Sequence, residues 1–186
     1  MINYKKRISI VMWISILLFV VVVLTFPKWI TMFYPQPHRD IVYSVAYEYK
    51  VDPNLVFAII RAESKFQTGA ESKAGAKGLM QIMPDTANWI AEQQGIKDFN
   101  PDSLVNPEVN IHFGCWYLNN LNKEFEDNQP LVIAAYNAGR GHVRQWLIND
   151  VWNGDEKELE KIPFTETAQY VNNVLKNYEA YKAIYN

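Results

Sequence analysis

Glu63 interrupts an apolar pattern in the way that acid chemistry requires. Asp52-Pro53 marks a helix start, an N-cap side chain followed by proline at the first helical position. The apolar stripe beyond it runs Leu55, Val56, Ile59 and Ile60, and the next place on that face, at i+3 and i+4 spacing, is position 63. A carboxylate stands there instead of a core residue. It also falls in the last turn of the helix, where the backbone carbonyls present partial negative charge. Desolvation and that dipole both push its pKa upward. An acid kept neutral near pH 7 can protonate a leaving oxygen, the step that cutting an acetal needs. The competing reading has Glu63 fray into solvent or pair with Arg61 or Lys65.

The elements that must position this carboxyl are helical almost throughout. Asn106-Pro107 repeats the start signal of Asp52-Pro53. Further helices are predicted from about Arg39 to Tyr49, Pro84 to Gln94, Pro130 to Ala138, Gly141 to Asn149 and Thr165 to Tyr185. A glycine-rich loop, Gly69 to Gly78, interrupts them. Leu131 to Tyr136 is apolar on every side, as suits a helix at the centre of a bundle with the others wrapped around it. No alternating strand and no internal repeat is visible, so the fold class is mainly α.

With 186 residues, one globular domain is expected once any targeting segment is set aside. The formal charge of −2 hides an asymmetry: Lys5, Lys6 and Arg7 precede the first apolar run and every acidic residue follows it. Beyond those three there are 15 basic and 20 acidic residues, which is no footprint for nucleic acid. Cys115 is the only cysteine and falls on the stripe Ile111, Gly114, Leu118 and Leu121, the place of a buried inert thiol. His38, His112 and His142 have no metal-ligand spacing, Ser64 is in no nucleophile elbow, and no glycine loop has the form of a phosphate cradle. Nothing here calls for a metal or cofactor.

Residues Ile8 to Phe26 carry no charge, and nineteen residues at helical rise span roughly 28 Å, near the thickness of a bilayer's hydrocarbon core. The preceding basic cluster puts the N-terminus in the cytoplasm and the rest outside. A cleaved signal peptide is the rival. The run is longer than a usual signal core, however, and ends in Thr25-Phe26-Pro27 instead of small residues suited to cleavage. A buried core helix would not need Val, Ile and Leu on all faces. The expected organisation is a basic stub and transmembrane anchor over 1–27, a proline-rich spacer over 28–37, and one domain over 38–186.

The stretch after the acid reads Glu63-Ser64-Lys65-Phe66, then Ala70, Ser72, Gly75-Ala76 and Gly78-Leu79-Met80-Gln81-Ile82-Met83-Pro84. Three more blocks follow in order: Asn106-Pro107 with Asn110-Ile111 and Gly114; Ala134-Ala135-Tyr136-Asn137-Ala138-Gly139; and Ile162-Pro163-Phe164 with Glu166-Thr167 and Tyr170-Val171. Over about Asp52 to Leu175 the chain resembles the soluble lytic transglycosylase (SLT) family, the goose-type-lysozyme-like branch of the lysozyme superfamily. One departure is Thr68, where the family usually has proline two residues after the aromatic.

The resemblance implies a lysozyme-like helical domain that cleaves the β-1,4 bond between N-acetylmuramic acid and N-acetylglucosamine in peptidoglycan, leaving a 1,6-anhydro end. Glu63 would be the sole acid and base, because the sugar's own C6 hydroxyl replaces water and no second carboxylate is required. Ser72 and Tyr170 match hydroxyl partners of the acid; read from their surroundings alone, they are a loop-capping serine and a core tyrosine. Gln81 and Asn137 would offer amides to acetamido and hydroxyl groups. Met80 and Tyr136 would form an apolar wall, or be plain core. Glu166, at a helix start, would shape or cap the site and not act as nucleophile.

Two other functions fit the same residues: a muramidase in which water completes the reaction, and a non-catalytic wall-binding assembly protein. A small tethered domain would suit work alone or inside an envelope-spanning secretion or wall-remodelling complex. The expected partners are glycan strands and, through the N-terminal helix, the cell membrane, with the catalytic domain on its outer side.

Overall fold

The computed structural model describes residues 4–185, with side chains for 6–24 and 29–185. The side chains of Lys5 and of Thr25-Phe26-Pro27, used above for topology and cleavage, lie outside the described residues. The chain divides into two units, Met1–Pro35 and Gln36–Asn186.

The first unit is one helix, α1 (Tyr4–Phe33). Its segment Lys6–Leu24 is apolar enough to cross a membrane by length and composition, and none of that window is buried against protein. The helix continues past Pro27 to Phe33, and Tyr34 N–H still bonds the Ile30 carbonyl. The non-helical spacer expected over 28–37 is therefore confined to its last few residues. A proline removes one rung of the ladder, and the residues after it, Trp29 to Phe33, can resume the pattern on the next turn.

The second unit contains α2 (Arg39–Glu48), α3 (Pro53–Glu63), α4 (Pro84–Gln93), α5 (Pro107–Glu124), α6 (Gln129–Ala138), α7 (Arg140–Ile148) and α8 (Thr165–Tyr185). These match the predicted helices within two residues at each compared end. Two short 3-10 turns, Pro101–Val105 and Glu156–Lys161, were not foreseen; Asn100 and Asp155 start them by accepting a backbone N–H two residues on. Among the described residues there is no strand, only isolated bridges joining Glu71 to Lys77 and Lys77 to Ile82.

Leu131 to Ala135 on α6 are all buried, as their composition implied. A second helix shares the centre. On α3 every residue from Asn54 to Ile60 is buried, including Phe57 and Ala58, which lie off the apolar stripe. The reason is α8, whose Val171, Val174, Tyr178 and Tyr181 cover that flank, with Phe57 stacked on Tyr181 at 5.6 Å. Each such fully buried side chain contributes roughly 1.5–3 kcal/mol of transfer free energy. Cys115 is fully buried, and burial pushes its thiol pKa up, so it packs as a small apolar group.

Candidate active site

Helix α3 is held at both ends by tyrosines of α8. At its start the Asp52 carboxylate caps Asn54 N–H at 2.8 Å and accepts the Tyr178 hydroxyl at 2.7 Å. At its end, Tyr170 donates its hydroxyl to Glu63 Oε1 at 2.6 Å. Tyr170 and Tyr178 lie on one face of α8 two turns apart, so the antiparallel packing of two helices fixes where Glu63 stands.

The Glu63 carboxyl is pushed up from 4.5 to about 7, chiefly by burial, while the Tyr170 hydrogen bond pulls the other way. Burial and the nearby Glu63 charge together hold the Tyr136 and Tyr170 phenols well above their ordinary range, so both remain neutral donors. The carboxyl has Tyr170 as its hydrogen-bond partner among the described residues. Such a group can give up a proton near neutral pH and take one back.

Gln81, Tyr136 and Asn137 line a cavity of about 220 Å³ that also touches Tyr117 and Gly139. Asn137 is exposed there, and its Oδ1 accepts the buried Thr167 hydroxyl at 2.8 Å, which leaves the amide N–H groups for a ligand. The Tyr136 hydroxyl is committed to the Met80 carbonyl at 2.8 Å, so this ring offers the cavity its face or edge and not its oxygen. A larger cavity, about 900 Å³, lies beside Tyr43, Tyr47 and Pro53 at the opposite end of α3 and holds none of these residues.

Other residues named from the sequence take different places. Ser72 does not bond Glu63: its hydroxyl accepts Ala76 N–H at 3.0 Å within a turn that its own N–H also closes onto the Ala76 carbonyl. Gln81 donates to the Ala70 and Gly78 carbonyls at 3.1 and 2.8 Å, stitching the loop and leaving its oxygen uncommitted. Met80 is fully buried against Gly114, where a Cβ would collide with its sulfur, so it backs the wall instead of facing the groove. Glu166 is exposed in the first turn of α8, a position the helix dipole favours for an acid.

Asn110 and Thr167 belong to the sequence blocks above, but their roles emerge only in the fold. Asn110 is fully buried and makes three bonds: it accepts Met80 N–H at 2.7 Å and donates to the Lys77 and Leu104 carbonyls at 2.9 Å each. It is the bolt between the loop and α5. Gly78, at φ +78°, allows this, because any Cβ there would strike Leu104 and Asn110. The available signal was the one that exposed Glu63, a polar residue on a helix face that is otherwise core. Among the described residues no three of His, Cys, Asp and Glu gather as metal ligands.

Residues 41–159 match the family model described as the transglycosylase SLT domain. The chain is similar to the soluble lytic murein transglycosylase of Salmonella typhimurium, 39% identical over 150 residues, covering 80% of this chain and 23% of that protein. It is also similar to the membrane-bound lytic murein transglycosylase C of Edwardsiella ictaluri, 33% identical over 165 residues, with 76% and 46% covered. Among solved structures, the 70 kDa soluble lytic transglycosylase of Escherichia coli superimposes with a TM-score of 0.77 at 36% identity, over 83% of this chain and 25% of that one. The lytic transglycosylase Slt of Pseudomonas aeruginosa gives 0.73 at 40% identity, over 82% and 25%. The chain spans about a quarter of the length of these soluble relatives.

Proposed function

Because the chain belongs to the SLT transglycosylase family, we propose that it is a membrane-tethered lytic transglycosylase that cuts peptidoglycan between N-acetylmuramic acid and N-acetylglucosamine. The observation that carries this reading is the Glu63 carboxyl, half-buried, raised to about 7 by desolvation and held by Tyr170.

In this mechanism the neutral Glu63 carboxyl protonates the bridging oxygen as the bond from C1 breaks. The carboxylate so formed accepts the proton of the muramyl C6 hydroxyl while that oxygen bonds C1, closing a 1,6-anhydro ring. Glu63 ends as it began, and no water is consumed. Tyr170 stabilises the intermediate carboxylate through the 2.6 Å bond. Asn137 donates to a sugar carbonyl or hydroxyl, with Thr167 fixing which way its amide points. The ring faces of Tyr136 and Tyr117 supply the apolar surface on which sugars stack.

The tether is α1, whose exposed apolar segment Lys6–Leu24 suits a bilayer, with Lys6 and Arg7 on the cytoplasmic side. The domain over 38–186 then works outside the membrane.

Mass spectrometry of muropeptides released by the protein tests the reaction. Anhydro ends, lighter by one water than a hydrolase's products and missing with Glu63→Gln, are expected. Hydrated ends would make the protein a muramidase, and release undiminished in the variant would remove Glu63 from the chemistry.

A further inference from the structure

A second cavity, about 590 Å³, adjoins the one at Asn137: the two share Thr86, Tyr117 and Gly139. An aromatic wall leads from one to the other. Tyr136 lies 5.6 Å from Tyr117, Tyr117 lies 6.2 Å from Trp89, and the Arg140 guanidinium stacks over Trp89 at 5.3 Å.

Two guanidinium groups and two carboxylates meet at the far end, and they are placed differently. Arg140 and Arg144 both line the cavity, and both pair with a single carboxylate, Glu124. Arg140 also donates to Asn120 at 3.2 Å, yet its Nε is buried without a hydrogen-bond partner. Arg144 meets Glu124 through Nε, its side chain is 53% exposed, and its two Nη groups remain uncommitted. The carboxylate that lines the cavity itself, Asp85, stands in the first turn of α4, where that helix's own N-terminus favours its charge. The N-terminus of α7 opens at the same place with no side-chain cap and no acid in its first turn. A Cβ on Gly139 or Gly141 would meet only open space, so the backbone there is accessible.

A half-exposed planar guanidinium, a neighbouring cation and uncapped helical amides form a receptor for a planar anion. We infer that this second cavity binds a carboxylate carried by the muramyl side group of the glycan, with Arg144 as the contacting residue and Arg140 as its support. The inference rests on the glycan-cleaving reading above and adds to it recognition of what hangs from the strand. The carboxylate is one of the peptide stem; the lactyl carboxylate, free only on a ring without a stem, shares this chemistry and is separated by the test.

The test measures KM for the full-length protein in detergent on three strands: stems intact, stem carboxylates converted to amides, and stems removed. Amidation alone and Arg144→Gln alone should each raise KM roughly tenfold, and the two together no more than either, because each removes the same charge-assisted bond. On stripped strands the effect of Arg144→Gln should disappear, and an effect that persists there would assign the lactyl carboxylate and overturn recognition of the stem. Additive effects, or a change below about twofold from either, would overturn the site. Should Arg144→Gln fail to fold, the wild type decides, since equal KM for acidic and amidated strands also overturns it. A wild type that cuts no strand refutes the proposed reaction instead. The site is then judged by calorimetry with acidic and amidated stem peptide, and equal affinities reject it.

Discussion

Tyr170 reaches across 107 positions of sequence to place its hydroxyl 2.6 Å from Glu63 Oε1, while Tyr178, two turns further along the same helix, holds the Asp52 cap where the acid's helix begins. The acid is thus fixed by helix packing and not by a flexible loop. Losing the nearer contact should change chemistry more than stability. In Tyr170→Phe the carboxylate formed during reaction loses a charge-assisted bond worth about 1.5–3 kcal/mol, so kcat should fall roughly ten- to hundredfold. That bond also lowers the Glu63 pKa, so its removal should move the alkaline fall of activity to higher pH. A pH–rate profile with an unmoved limb would contradict this role.

Burying Glu63 costs stability in a definite pH window. Its folded pKa, about 7, lies above its ordinary 4.5, so between those values the native state binds the extra proton and stability drops as pH rises. A shift of this size corresponds to about 3 kcal/mol, absent below pH 4.5 and fully felt above pH 7. Glu63→Gln carries no such cost. Urea unfolding should therefore show the variant gaining on the wild type by about 3 kcal/mol between pH 4 and pH 8. A difference that stays flat with pH would contradict a buried acid.

The loop that backs the site depends on one amide. Asn110→Ala would leave the Met80 N–H and the Lys77 and Leu104 carbonyls without partners in the core. A loss of roughly 2–4 kcal/mol is expected, with faster amide exchange over 77–82. Gly114→Ala should also destabilise, through its collision with Met80.

The anchor reading makes a separate prediction. The full chain should float with lipid vesicles and resist extraction at high pH, whereas a chain lacking residues 1–35 should remain in the aqueous fraction with its helical signal retained. Full-length protein that washes off vesicles would contradict a spanning α1.

Much of this arrangement was legible in the sequence because helices announce themselves locally. Pro53 and Pro107 marked true starts, and Glu63 stood out because a stripe of period 3.6 has no place for a carboxylate. Long-range partners were harder to read. The burial of Phe57 and Ala58 depends on α8, more than a hundred residues away, and no local period records it. Ser72 was expected beside the acid, but its hydroxyl satisfies the backbone of its own tight turn, while Gln81 lines the cavity and ties the loop through its amide nitrogen. Thr167 acts only through Asn137, thirty residues earlier, a pairing visible only in the fold.

The central claim is that Glu63 keeps its proton to near neutrality inside the folded protein. Carbon-13 NMR of the glutamate side-chain carboxyls, titrated from pH 3 to pH 9 and assigned by the signal lost in Glu63→Gln, measures this directly. A midpoint near 7, rising further in Tyr170→Phe, is the expected result. A midpoint at the ordinary 4.5 would contradict the account, because the residue would already be a carboxylate when a leaving group needs its proton.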